Sequence, residues 1–300
     1  MKKAVPYDFD NEFRACARRH QSDFRENTLG IDFDDSDDKA KYGNLLPKEI
    51  AKQGLIFYEG YRDYIIKVAM SRYGKNIGTA RYANLLRSEH IPLNIFTPME
   101  LNIDKAKELF SEIISEKIAS IQAITIEYPG KYDPLKYLKD RTSYDTFISY
   151  TTNAGLKGGI GIEVKYTEEG YKIGPKENDE ISSSDHPYTT VTKACGYFIN
   201  SDPKKFIDDN LRQIWRNHIL GASMVIEGDI EVFHCVHLYP KRNTHFQDHA
   251  IPQYIKMLTQ KGKDSFIGLT YEDLFSLMGK HFNSPQESDW IDYLNKRYLF

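Results

Sequence analysis

The apolar positions along this chain change their spacing several times, and each change marks an element. The first 45 residues are polar and acid-rich, which predicts a loosely folded arm with short helices. From Pro47 to Tyr73 the residues Ile50, Leu55, Phe57, Tyr58, Tyr61, Ile65, Ile66 and Val68 supply one broad apolar face, and a long helix is expected. Arg81 to Met99 is mixed and ends near Pro98. In Asp104 to Ser120, Ala106, Leu109, Phe110, Ile113, Ile114 and Ile118 recur at helical spacing behind Asp104 as a cap. The period then shortens. Ile121–Tyr128, Ser143–Thr151 and Gly159–Thr167 read as strands, rich in β-branched and aromatic residues. A polar excursion over 168–200 precedes a helix from Asp202 to Glu227, with Pro203 in its first turn, and a strand from Asp229 to Tyr239. The remainder is expected to be mostly helical. Ser284-Pro285-Gln286-Glu287 launches its final helix as a capping box. Between residues 104 and 239 the order is α-β-β-β-α-β, an α/β (α+β) arrangement. It divides the chain into an N-terminal helical extension over 1–100, a core over 101–240 and a C-terminal helical extension over 241–300, packed as one compact domain.

The second and third strands carry the candidate chemistry. In a strand Glu163 and Lys165 share one face and Ile162 and Val164 the other. An antiparallel hairpin that pairs Tyr150 with Gly158 sets Asp145 directly opposite Glu163, with Lys165 one pleat along. Facing carboxylates destabilise a sheet unless something compensates them. A divalent cation and a neighbouring ammonium are the natural compensation, and together they outline a metal-dependent hydrolase.

Asp145 followed by Glu163-Val164-Lys165 resembles the signature of the PD-(D/E)xK nuclease superfamily, whose members share the restriction-endonuclease-like fold. Gly161-Ile162-Glu163-Val164-Lys165-Tyr166-Thr167-Glu168 is similar to bacterial restriction-endonuclease-like proteins of that group, as are Asn94-Ile95-Phe96-Thr97-Pro98 and Gln213-Ile214-Trp215-Arg216-Asn217-His218. The resemblance covers roughly residues 88–240, and Tyr144 stands where proline is usual. It implies a mixed central sheet and metal-dependent hydrolysis of phosphodiesters in DNA. Asp145, Glu163 and the backbone carbonyl of Val164 would hold Mg²⁺, with Mn²⁺ as a substitute, since hard oxygen ligands suit such ions. Lys165 would position or deprotonate the attacking water or stabilise charge on phosphorus; burial beside a cation would lower its pKa. Gln213 and Arg216, three apart on one helical face, would orient a ligand and meet a phosphate. Glu112 and Glu116 are both candidates for an extra acidic ligand. Arg72, Lys75, Arg81 and Arg87 form a candidate phosphate-contact region, and a homodimer would suit cleavage of both strands of a palindrome. The alternative is a nucleic-acid-binding relative that keeps the fold without catalysis, and a more distant one is a protein-interaction scaffold.

Composition trims this picture without redirecting it. The net charge of −3 belongs to no globally basic nucleic-acid binder, but Asp32, Asp34, Asp35, Asp37 and Asp38 account for the acidic excess. That run departs from a calcium loop, because Asp37 stands where its glycine belongs and Gly43 where its glutamate belongs. Gly155 to Gly161 lacks the order of a dinucleotide fingerprint. His234, His237, His245 and His249 with Cys235 do not make a zinc site, since His234 and His237 face opposite sides of a strand. Three cysteines with no Cys-x-x-Cys pair, no apolar run behind Met1 to Asp8, and no stretch of the ~20 apolar residues a membrane span needs lead to the expectation of a reduced, cytoplasmic protein.

Overall fold

The computed structural model describes residues 4–32, 40–74, 82–129, 136–170, 181 and 183–300. The chain forms two compact units, one from residues 103–269 and the other from the segments up to Asn102 and from Thr270 to Phe300.

The continuous unit is built on a mixed five-stranded sheet in the order β1 (Ile118–Tyr128), β2 (Tyr144–Thr152), β3 (Lys157–Val164), β4 (Val232–Tyr239), β5 (Phe266–Thr270). The first three strands run antiparallel and β4 lies parallel to β3. The hairpin register is the expected one, with Tyr150 opposite Gly158 and Thr146 opposite Ile162. Glycines in β3 are seats for aromatic rings of β2. A Cβ at Gly161 would stand 2.4 Å from the Tyr144 ring, and one at Gly159 2.5 Å from Phe147. Tyr144 is fully buried, and its hydroxyl donates to the Asn217 carbonyl at 2.6 Å. That bond ties the start of β2 to the helix Arg212–Ile226, which packs on β3 and β4. Its Trp215, Ile219 and Leu220 join Phe147, Phe233 and Tyr254 in one core. The helix Ile103–Ile114 packs on β1. The core order is therefore α-β-β-β-α-β, with one further helix, Pro187–Ala194, ahead of the second core helix.

Numbering the described helices in chain order, the discontinuous unit holds α1 (Glu12–Asp23), α2 (Lys48–Lys52), α3 (Arg62–Tyr73) and α4 (Ile91–Phe96). The continuous unit holds α5 (Ile103–Ile114), α6 (Pro187–Ala194), α7 (Arg212–Ile226), α8 (Ile251–Lys256) and α9 (Gln260–Asp264), and the chain returns to the first unit with α10 (Tyr271–His281) and α11 (Pro285–Tyr298). Asn94 is the hub of the discontinuous unit. It accepts from the Tyr58 N–H, donates to the Ile56 carbonyl and the Tyr298 hydroxyl, and its own carbonyl takes the Trp290 indole N–H, all within 3.1 Å. Arg297, wholly buried, donates to the Ile56 carbonyl and the Tyr293 hydroxyl.

Several elements differ from expectation. The long helix over 47–73 is two helices, because the chain turns through Gly54 in a left-handed conformation (φ 68°). The N-terminal arm is not loose: α1 buries Gln21 and leads to buried Arg25, whose side chains bond the carbonyls of Arg297 and Gly43. Buried polar residues of this kind look like surface ones in a pattern of apolar positions. The helix expected from Asp202 begins at Arg212; Pro203 opens only a 3₁₀ turn, Pro203–Lys205. The last third is not wholly helical, since β5 pairs at the sheet edge, where the Cys235 N–H donates to the Ser265 carbonyl at 2.8 Å. Most of the acidic run after Asp32 lies outside the described residues.

Candidate active site

The site forms where β2 stops pairing with β3. Beyond Thr146 the Asp145 side chain takes over the ladder, and its Oδ2 accepts the Val164 N–H at 2.7 Å. One residue further along β3 the bonding passes to the other neighbour, the Lys165 N–H donating to the Leu238 carbonyl of β4 at 2.8 Å. Past the strand, buried Asn243 donates to the carbonyls of Tyr166 and Glu168 at 3.2 and 3.0 Å, holding the chain that presents Lys165. Glu163 and Lys165 are both buried and paired, Lys165 Nζ donating to Glu163 Oε1. From α7, Gln213 Nε2 donates to the same oxygen at 2.6 Å.

Burial first, then the charge of Glu163, pushes the Asp145 carboxyl well above the usual carboxylate range, and Lys165 and the Val164 N–H offset only part of this. Lys165 departs from expectation. Burial pulls it down, but Glu163, Asp145 and Glu168 together outweigh burial, so in the protein alone its pKa is raised. The carboxylate facing Asp145 from the other side was not anticipated. The β1–β2 register pairs Ile126 with Thr146 and Tyr128 with Tyr144, which sets Glu127 across from Asp145, and its charge adds to the upward push. Glu127 has a left-handed φ of 53°, uncommon for a side-chain-bearing residue. The only sequence signal for it was a place in β1 that pairing with β2 could have marked. Glu116 is engaged elsewhere, accepting from the Tyr150 hydroxyl at 3.3 Å and lying 3.4 Å from His234 Nε2.

Arg216 acts on another group. It is the main charge opposing the burial that raises the Tyr188 phenol, and Tyr188 donates to Asp140 at 2.5 Å. His218 is buried in the core between the Tyr254 hydroxyl and Ser265 Oγ, at 3.0 and 2.8 Å. Arg72 lies on α3, and Arg87 pairs with Glu89 at 2.7 Å, both in the discontinuous unit; Lys75 and Arg81 lie outside the described residues.

Among the described residues no group of three or more His, Cys, Asp or Glu side chains is placed to hold an ion. The two carboxylates nevertheless fit a hard divalent ion that keeps most of its water shell. Their repulsion is under-compensated, and Asp145 Oδ1 and Glu163 Oε2 accept no hydrogen bond among the described residues.

A mixed sheet with this strand order, carrying an acidic residue where β2 begins and Glu-x-Lys where β3 ends, defines the restriction-endonuclease-like class. The chain belongs to the PD-(D/E)XK nuclease superfamily, whose family model matches residues 8–300. No curated protein and no solved structure matches it. The superfamily is one of nucleases, which act on nucleic acid and generally use divalent metals. No described helix is long and apolar enough to cross a membrane.

Proposed function

We propose that this protein is a divalent-metal-dependent nuclease that hydrolyses phosphodiester bonds in DNA, with Mg²⁺ or Mn²⁺ held by Asp145, Glu163 and the Val164 carbonyl. The observation that carries the reading is the meeting of Glu163, Lys165 and Gln213 beside Asp145 at the ends of β2 and β3. A bound divalent ion supplies Lewis-acid stabilisation of the charge that builds on the scissile phosphate. Lys165, an ammonium anchored on Glu163, stabilises charge on a phosphate oxygen or orients the attacking water. Gln213 fixes the Glu163 carboxylate so that Oε2 stays available as a ligand. Arg216, whose charge acts on Tyr188 beside Asp140, would meet a phosphate of the substrate.

The test is incubation of the purified protein with supercoiled DNA, linear DNA and RNA, with Mg²⁺, Mn²⁺ or a chelator. Cutting of DNA that needs metal, and that falls by about 10²–10³-fold in Lys165→Ala, is the expected result. Binding of DNA without cutting under any metal condition would replace the nuclease with a non-catalytic relative. Cutting confined to RNA would overturn the substrate.

A further inference from the structure

The parallel register of β3 and β4 pairs Glu163 with His237, so the imidazole stands on the catalytic row, diagonal to Lys165. The His237 ring is only 1% exposed, and its Nε2 is a buried atom with no hydrogen-bond partner in the protein. Phe246, 4.7 Å away centroid to centroid, packs against the ring at a tilt of 52°. Besides burial, the charges that act on the ring are those of Lys165 and His245, and no carboxylate is bonded to it. An imidazole that carries one proton keeps a lone pair on its other ring nitrogen. A buried polar atom left unsatisfied is costly, and an ordered water shared with a second polar group is the common remedy.

We propose that His237 is a positioning residue for Lys165, its Nε2 taking one N–H of the ammonium through a single bridging water. Glu163 Oε1 holds another N–H of the same ammonium, so the two anchors together restrict how the ammonium turns on its stem. This role deepens the nuclease reading and rests on it for its kinetic consequence, whereas the contact is argued from the strand register and the unpartnered Nε2.

Two variants separate the nitrogen from the ring's bulk. His237→Phe keeps the packing on Phe246 and removes the acceptor; His237→Gln restores an acceptor near Nε2. With ¹⁵N-lysine-labelled, metal-free protein, the Lys165 ammonium resonance is expected in slow exchange in the wild type and in His237→Gln, and to vanish in His237→Phe. In DNA cleavage, kcat should fall about tenfold in His237→Phe with KM unchanged. It should return to within a few-fold of wild type in His237→Gln. A His237→Phe protein that keeps both the resonance and kcat overturns the proposal, as does a His237→Gln protein no better than His237→Phe. Should His237→Phe fail to fold, the imidazole ¹⁵N resonances of His237 in Lys165→Met decide instead: they move if the contact exists, and unmoved signals refute it. A wild type that cuts no nucleic acid would sink the nuclease reading alone, because the resonances still judge the contact.

Discussion

Asp145 serves two functions that pull apart. Its Oδ2 finishes the β2–β3 ladder at Val164, and its charge is set between Glu163 and Glu127. Asparagine keeps the acceptor and removes the charge. Asp145→Asn should therefore melt no lower than the wild type without metal, show no rise in melting temperature with Mg²⁺ where the wild type is expected to show one, and cut at least ~10²-fold more slowly, as thermal melts with and without the ion and a cleavage assay would show. His218 offers a residue-level test that is independent of the site. Burial lowers its pKa to about 3, against about 6.5 in an unfolded chain. Between those values the unfolded chain binds a proton that the folded one does not, so the stabilisation present at neutral pH is lost as pH falls through the window. Relative to His218→Gln, the wild type should lose about 2 kcal/mol of stability between pH 7 and pH 5, read from urea midpoints. The acidic pair and its lysine were legible in the sequence because they lie two apart on one strand and opposite each other across one hairpin. His237 and Glu127 were not, because their places depend on which strands neighbour β3 and β2, and local periodicity carries no such information.

At the scale of elements, Tyr144 and Gly161 decide where α7 lies against the sheet. Gly161→Ala forces a methyl into the Tyr144 ring and should cost about 1–3 kcal/mol in urea unfolding. Tyr144→Phe removes the buried bond to the Asn217 carbonyl and should cost about 1 kcal/mol. Both act on the seat of Gln213, so cleavage should fall with Glu163 and Lys165 untouched; an unaltered rate would mean that α7 holds Gln213 without them. The β2–β3 register matches the hairpin supposed from the sequence, Tyr150 opposite Gly158. The capping box at Ser284 was equally readable, and both of its reciprocal bonds are present. The start of α7 was not: Pro203 gives a strong signal, yet Asp208 accepts from the Asn210 N–H in a separate turn before the helix begins. A five-residue strand such as β5, outside any hairpin, is too short for alternation to announce it.

For the whole molecule, the decisive fact is that one unit is assembled from segments 167 residues apart, up to Asn102 and from Thr270. Its interior draws on both: Trp290, Leu294, Arg297 and Tyr298 of α11 are at most 1% exposed, and Asn94 bonds Tyr298 and Trp290 directly. A chain ending at residue 283 should lose hydrogen-exchange protection across α1 and α3 while the amides of β2 and β3 keep theirs. Retained protection in α1 and α3 would mean that the earlier segment folds unaided.

Such a layout also sets an order of events at the ribosome. Chain up to Asn102 is made with its buried hydrogen-bond partners still unwritten, and the sheet that bears Asp145, Glu163 and Lys165 is translated before they arrive. At about 5–20 residues per second the wait is on the order of 10–40 s. A message cut short in that interval yields a polypeptide with the acidic pair and lysine encoded in full but with α1, α3 and α4 lacking α11. Those helices are then left without the side chains of Trp290, Leu294 and Tyr298 that complete their interior.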